Sequence, residues 1–344
     1  MDVKVNQIPA LTWNWLRMNE LTVKEVKALQ GESSVSYSTP AGIVEKSNQD
    51  FTIDTKTGMG ENMEKLLKES AVLVHSFETS DKVQEVLKLD YKFDGNATAN
   101  AVELKVADNA EMTVFMDFRS EEEAGDAAIE TRYEIGENAH LTLIQVQYLG
   151  DKFRFYNNIG GEHAENGKFT LIQLVLKGDQ SYYGNYSGLH AKKSELETKI
   201  AYMLKDENFL DMNYDADHTG KKSLCDIQVS GVLRNQSRKL FRGTIDFHRG
   251  CAGAVGAEME DVLLMDESVR NQTIPIILCD EEDVSGTHGA SIGRLDEGMM
   301  FYMQSRGIKE EAIYEMMAKA KIEAIANQIP QEEIREEVRQ LLEK

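Results

Sequence analysis

Four segments in the middle of the chain repeat one pattern at nearly constant spacing. Asp108-Asn109-Ala110-Glu111-Met112-Thr113-Val114-Phe115 is followed by Glu137-Asn138-Ala139-His140-Leu141-Thr142-Leu143-Ile144-Gln145-Val146. Glu165-Asn166-Gly167-Lys168-Phe169-Thr170-Leu171-Ile172-Gln173-Leu174 comes next, and Ser194-Glu195-Leu196-Glu197-Thr198-Lys199-Ile200 is a weaker copy. Thr113, Thr142, Thr170 and Thr198 stand 29, 28 and 28 residues apart. Each copy opens on a polar turn and enters residues alternating as a half-buried strand does. A fixed period of this size marks a solenoid, whose units bury their apolar faces only by stacking on each other. Two short strands and two turns fill about 28 residues. The expected fold is therefore mainly β, a parallel β-helix of about 28 residues per coil. Helical repeats of similar period need a 3.6-residue apolar stripe that this stretch lacks. An antiparallel sandwich with evenly spaced strands is the alternative, and the doubled Thr-Leu-Ile-Gln argues against it.

The flanks read differently, and they divide the chain into residues 1–60, 61–285 and 286–344. The first part carries Ile8-Pro9-Ala10-Leu11-Thr12-Trp13-Asn14-Trp15, an expected helix after Thr22, and a polar, turn-rich lead-in from Gly31 to Gly60. The middle part is the β-helix. The last part is helical. Asp296 or Glu297 starts a helix through Met299–Ser305, and Gly307 suits the left-handed position after it. A second helix is expected from Lys309 to Asn327, with Ala312, Met316, Ala320 and Ala324 on its apolar stripe. Pro330 suits the first turn of a third, which carries Ile334, Val338, Leu341 and Leu342.

Charge narrows the function. The 344 residues carry 38 Lys and Arg against 59 Asp and Glu, a net −21. An acidic surface of this kind argues against nucleic acid, whose phosphates need basic patches, and against anionic lipid. Apolar runs such as Ile274-Pro275-Ile276-Ile277-Leu278 are far shorter than the roughly 20 residues of a membrane span. No secretory pattern is visible at Met1-Asp2-Val3-Lys4-Val5, so a soluble, cytoplasmic protein is expected. The three cysteines, Cys225, Cys251 and Cys279, show neither disulfide nor zinc spacing.

Two glycine-lysine strings imitate nucleotide loops. Gly161 to Thr170 has one residue too many between its glycines and Phe169 where Ser or Thr must reach magnesium. Gly220-Lys221-Lys222-Ser223 lacks the upstream glycine. No nucleotide site is expected. The acidic run Asp280-Glu281-Glu282-Asp283 reads as a solvated turn. His288, within Gly286-Thr287-His288-Gly289-Ala290, is the main candidate for chemistry, because a neutral imidazole ligates transition metals and shuttles protons. The competing reading is an ordinary hydrogen-bonded histidine at a strand–helix junction. Cys251 and Cys279 lie 28 residues apart, about one coil, so they are weaker candidates for a stacked ladder that passes sulfur or holds metal. Small, inert core residues are the simpler alternative.

The stretch from Leu240 to Ile308 resembles the SufB/SufD family of iron–sulfur cluster assembly proteins. Phe241-Arg242-Gly243-Thr244-Ile245 is similar to its F-x-G-x-I strand, and Glu260-Asp261-Val262-Leu263-Leu264-Met265 stands at its Leu-rich strand. Thr273-Ile274-Pro275 matches its T-x-P turn, and Asp283-Val284 with His288-Gly289-Ala290 its His-Gly-Ala motif. Met300-Phe301-Tyr302 through Arg306-Gly307-Ile308 completes the similarity. The resemblance implies a right-handed parallel β-helix flanked by helical segments. It further implies a non-catalytic subunit that works with a SufC-type ABC ATPase and a SufB-like paralogue, or as a homodimer, on a transient iron–sulfur cluster. No cofactor held stably by this chain alone is expected. In the family the C-terminal helices dock SufC, which makes Met299, Phe301, Tyr302, Arg306 and Gly307 docking candidates. B-type members carry a cysteine where this chain has Glu260 and a glutamate where it has Gly289, so the D type is the closer match. Glu260 is a weaker site candidate, and His288 matches the histidine that D-type members contribute to the shared site. Two other classes stay open, a β-helical carbohydrate-active enzyme and a homodimeric adaptor without a direct cluster role.

Overall fold

The alternating segments form strands, and each strand takes its hydrogen bonds from strands about one coil away. In the computed structural model, which describes residues 1–343, two nine-stranded sheets face each other, and from Val74–Thr79 onward consecutive strands fall in opposite sheets. The pairing between coils is parallel. Thr142 to Gln145 of one strand lies in direct register with Thr170 to Gln173 of the next. Thr142 also faces Thr113, but Thr170 faces Glu197, so the fourth threonine of the repeat slips by one position. The step lengthens toward the C-terminus, where Leu224 faces Val255 and Phe247 faces Cys279.

Each coil turns through a residue in the left-handed region. Asn109, Asn138 and Asn166 take φ of 61°, 54° and 55°, a conformation that asparagine tolerates better than most residues. Their side chains form a ladder, Asn138 donating to Asn109 at 3.4 Å and Asn166 to Asn138 at 3.0 Å. This explains the polar residue at the head of each copy.

The space between the sheets, the lumen, is filled by Leu141, Leu143, Phe155, Phe169, Leu171, Tyr183 and their neighbours. The repeated glutamine also points inward. Gln173 donates to Gln145 at 2.7 Å, and Asn157 donates to the same oxygen at 2.7 Å. A buried amide is tolerable only with such partners.

Both outer faces are covered, each by one end of the chain. Helix α1 (Glu61–Glu69) and the ribbon Val3–Val5 with Leu21–Val23 pack on Ala99, Ala128, Tyr156 and Tyr182 of one sheet. Residues 56–59 lie directly on that sheet's backbone. A Cβ on Gly160 would come within 1.9 Å of the Lys56 carbonyl oxygen, and one on Gly184 within 2.4 Å of the Met59 nitrogen. Arg242 fastens the chain around Met18 to the same sheet, donating twice to Asp211 at 2.9 and 3.0 Å and to the Met18 carbonyl at 2.8 Å. The helix expected after Thr22 does not form. Thr22 sits in the ribbon, and Glu25 at φ 54° breaks any helical path.

Three C-terminal helices follow, α2 (Glu297–Ser305), α3 (Glu310–Ala326) and α4 (Glu332–Leu342). The Asp296 side chain caps α2 by accepting from Met299 N at 2.9 Å, and Gly307 follows it at φ 85°. Helices α3 and α4 cover Ile144, Val146, Ile172 and Leu174 of the other sheet. The stripe expected on α3 is wrong. Ala312, Met316, Ala320 and Ala324 face solvent, whereas Ile313, Ala318, Ile322, Ile325 and Ala326 are buried. The larger isoleucines remove more apolar area from water than alanines can, and they set the rotation. Pro330 stands just before α4 rather than in its first turn. Among the described residues no helix is long and apolar enough to cross a membrane.

Two lumenal histidines give the fold a pH dependence. His163 hydrogen-bonds Tyr133 at 3.1 Å and His218 hydrogen-bonds Ser223 at 2.7 Å. Burial pushes both imidazoles down from 6.5 to about 4. At these two sites the unfolded chain therefore binds more protons than the folded one between these values, and their contribution to stability falls as pH drops from about 6.5 toward 4. In urea unfolding followed by circular dichroism at pH 7.5 and 5, His218→Gln should remove this contribution, so that on going to the lower pH the variant loses less stability than the wild type.

Candidate functional site

The solenoid ends without a lid. The strand Arg270–Cys279 pairs only with Arg238–Phe247, and Val284–Gly293 pairs only with Ala254–Leu264, so both are edge strands. Their inward faces line an open mouth of the lumen.

His288 lies within the last of these strands, not in a turn before the helices. Alternation gives its direction. A Cβ on Gly286 would meet Phe247 and Ile277 of the lumen at 3.0 and 3.2 Å, whereas one on Gly289 would meet the sulfur of exposed Met259 at 2.7 Å. Residue 288 shares the side of residue 286, so the imidazole belongs to the lumenal face. It is exposed because no further coil covers it.

One strand inward, His288 faces Glu258 and Ala290 faces Glu260. One coil deeper the same positions are Ile227 and Val229. The lumen therefore changes from apolar to charged over its last two coils. Glu260 is completely buried and paired with Lys239, which also reaches Thr273 at 2.9 Å. The Thr273 hydroxyl donates to the second Glu260 oxygen at 2.6 Å. This closed triangle satisfies both charges, as a buried ion pair requires.

Glu258 has no such arrangement. It is 3% exposed, and its Oε2 has no hydrogen-bond partner. Gly243 makes room for it, since a Cβ there would lie 2.2 Å from that oxygen. Burial, and then the Glu260 charge, push the carboxyl up to about 8.

The cysteines do not stack. Cys279 faces Phe247, and Cys225 faces Leu196 and Gly256, because the last coils run to 31 and 32 residues (224 to 255, 247 to 279) rather than 28. Cys225 and Cys251 are buried, with thiols pushed up by burial to about 12 and about 11. Cys279 is exposed at the mouth and donates to the Glu281 carbonyl at 3.1 Å. Glu281 itself caps a turn, accepting from Gly250 N at 2.9 Å.

On the outside, α2 buries none of its residues. Phe301 is 74% exposed, Tyr302 and Met299 also face outward, and Arg306 stacks on the Tyr302 ring at 4.6 Å. The loop holding Trp13 and Trp15 is a second exposed apolar feature, with Trp15 at 95%.

The SUF system FeS cluster assembly family, SufBD core domain, matches residues 91–321. The chain belongs to the SufB/SufD family. Relatives include the iron–sulfur cluster assembly protein SufD of Bacillus subtilis, 30% identical over 125 residues, which span 36% of this chain and 29% of that protein. A SufBD family protein of Mycobacterium bovis is 31% identical over 107 residues, 31% of this chain and 13% of the relative. One from Staphylococcus haemolyticus is 31% identical over 101 residues, 29% and 22% respectively. The matched stretches thus span less than a third of these relatives' lengths.

Among SufB/SufD residues at the mouth, sequence reasoning found His288 and Glu260 but missed Lys239, Glu258 and Thr273. One signal was present: Glu258 and Glu260 alternate in a strand whose preceding coil has Ile227 and Val229. Among the described residues no group of three or more His, Cys, Asp and Glu is set to hold a metal ion. The mouth offers an imidazole and a carboxylate on neighbouring strands.

Removing one partner of the Lys239–Glu260 pair leaves the other charge buried. Lys239→Met should cost about 3–5 kcal/mol. The double variant Lys239→Met/Glu260→Leu should recover most of that loss in urea unfolding.

Proposed function

We propose that this chain is a D-type, non-catalytic subunit of a SUF-type iron–sulfur cluster assembly complex. It pairs through its open last coil with a SufB-like paralogue and docks a SufC-type ATPase through its C-terminal helices. The observation that carries the reading is the mouth itself. His288 stands on the lumenal face of the terminal strand, at the match to the D-type histidine. The position where B-type members have a cysteine holds Glu260, already committed to Lys239 and Thr273. A carboxylate in a closed ion pair does not hold iron as a thiolate does. The scaffold thiol therefore comes from the partner, and this chain adds the imidazole to a transient cluster formed between the two.

The free outer edges of the strands Arg270–Cys279 and Val284–Gly293 support the pairing, because exposed edges offer backbone donors and acceptors to another sheet. The helix α2 supports the docking. Its Met299, Phe301 and Tyr302 form an apolar surface beside Arg306, of the kind that partner contacts use. The chain itself carries out no ATP chemistry in this reading. The partner ATPase acts through α2–α4 on a rigid solenoid.

Co-expression with a SufC-type ATPase and a SufB-like chain should yield a complex on affinity purification. His288→Ala should lower the iron and sulfide content of that complex while the melting temperature of the chain stays unchanged. Unchanged iron and sulfide content would remove His288 from the reading. Phe301→Ser should release the ATPase from the complex but leave the paired β-helices together, as read by size-exclusion chromatography with light scattering.

A further inference from the structure

The N-terminal ribbon runs along the axis of the solenoid, and its contacts trace the direction. Lys27 pairs with Asp126, and Arg154 donates to the Glu25 carbonyl at 3.2 Å. Nearer the mouth, Asn6 donates to the Tyr183 carbonyl at 3.1 Å, and Ile8 and Met18 pack with Leu240, Ile274 and Ile276. Gln272, on the edge strand itself, donates to the Met18 sulfur at 3.5 Å. Residues 9–17 are therefore the tip of an arm that arrives at the open end of the stack. The tip is built by its own hydrogen bonds. Trp13 N donates to the Asn19 side chain at 2.7 Å, the Asn19 amide donates to Asn14 at 2.6 Å, and Ile8 N donates to the Asn19 carbonyl at 2.9 Å. It presents Leu11, Trp13, Trp15 and Leu16 to solvent, including both tryptophans of the chain. Indoles left in water forgo the large apolar area that each can bury.

The other sheet ends in a surface of the opposite shape. The outward positions of its terminal strand are Ser285, Thr287 and Gly289, which stand in register with Val255, Ala257 and Met259. Helix α3 meets this face at Asp261, where Lys321 pairs with it, and Val255 and Met259 beyond it are exposed. Small residues at the edge with Val255 and Met259 behind them make a flat apolar strip. Two copies brought mouth to mouth by a two-fold rotation about an axis parallel to the strands set the arm-bearing sheet of each beside the other sheet of its neighbour. The abutting edge strands then run antiparallel and can exchange backbone hydrogen bonds. The arm tip overhangs its own edge and faces the neighbour's strip, one or two strand spacings of about 4.8 Å away. We propose that the arm is a clamp for a second copy of this chain, with Trp13 and Trp15 of each copy lying on the Val255–Met259 strip of the other. Methionine sulfur makes favourable contacts with aromatic rings, and buried tryptophans dominate interface energies. The clamp goes beyond the assembly reading and does not need it. A SufB-like paralogue competes with the second copy for the same edges.

The test follows the full chain, alone, over a concentration series by size-exclusion chromatography with light scattering and by tryptophan emission. Because both tryptophans sit at the tip, the emission reports on the clamp alone. The mass should rise from one chain to two, and the emission should move to shorter wavelength in step with it. Trp15→Ser and Met259→Glu change exposed side chains, so the fold should stay intact by circular dichroism, and each should weaken self-association by about tenfold or more. Val44→Ser, at an exposed apolar position at the opposite end of the solenoid, should leave it unchanged. A chain that stays single at every concentration overturns the clamp. So does a pair that forms without an emission shift, or one that either folded variant leaves at wild-type strength. An emission shift brought by zwitterionic lipid vesicles and not by protein concentration assigns the tip to a membrane surface and overturns it too. These outcomes separate from those of the assembly reading. A chain that joins the paralogue and the ATPase but never pairs with itself keeps its assembly role and loses the clamp. A chain that pairs through the arm but joins neither keeps the clamp and loses the assembly role.

Discussion

Everything in this molecule depends on hydrogen bonds made one coil away. A strand such as His140–Tyr148 has no hairpin partner next to it in sequence, and its neighbours in the sheet are Glu111–Ser120 and Lys168–Lys177. No coil can bury its lumenal side chains until the next is in place. Stability is thus shared between adjacent coils, and the interior must be filled in register along its whole length. The asparagine ladder at the turns and the glutamine ladder in the lumen keep that register, since each side chain finds its partner only in the coil beside it.

The two ends of the chain solve a second problem, the outer faces. A sheet apolar on both sides cannot stand in water, and here each outer face is covered by one terminus. The N-terminal segment approaches so closely that glycines replace side chains beneath it, while α3 and α4 rest on a layer of isoleucine and leucine. The Arg242–Asp211 pair, with Asn6 donating to Asp211 at 2.5 Å, ties the N-terminal segment to the same region that leads to the mouth.

The period was legible because three copies preserve the same residues at the same coil positions. Its variation was not, because turns absorb insertions without changing the strands they join. That is why Cys251 and Cys279, a nominal coil apart, are not register partners. Capping signals placed α2 well, since Asp296 and Gly307 act locally. The rotation of α3 and the fate of Thr22 depend on distant partners and could not be read from local pattern. At the mouth, His288 and Glu260 stood out through resemblance. Lys239 reaches Glu260 across the lumen from the opposite sheet, and nothing in a linear pattern specifies that crossing. Glu258 was hidden by the general acidity of the chain, and only its register against Ile227 distinguishes it.

The two ends of the solenoid are unlike. At the start, Ser34–Ser36 and Ile43–Asn48 run antiparallel to the strands they pair with. At the finish, Arg270–Cys279 and Val284–Gly293 run parallel to theirs. Stacked β structures grow into fibres when each end continues the pattern of the other. Here the two ends differ in strand direction relative to the stack, so head-to-tail stacking does not prolong the parallel ladder, which works against polymerisation of a long, regular, strand-rich protein.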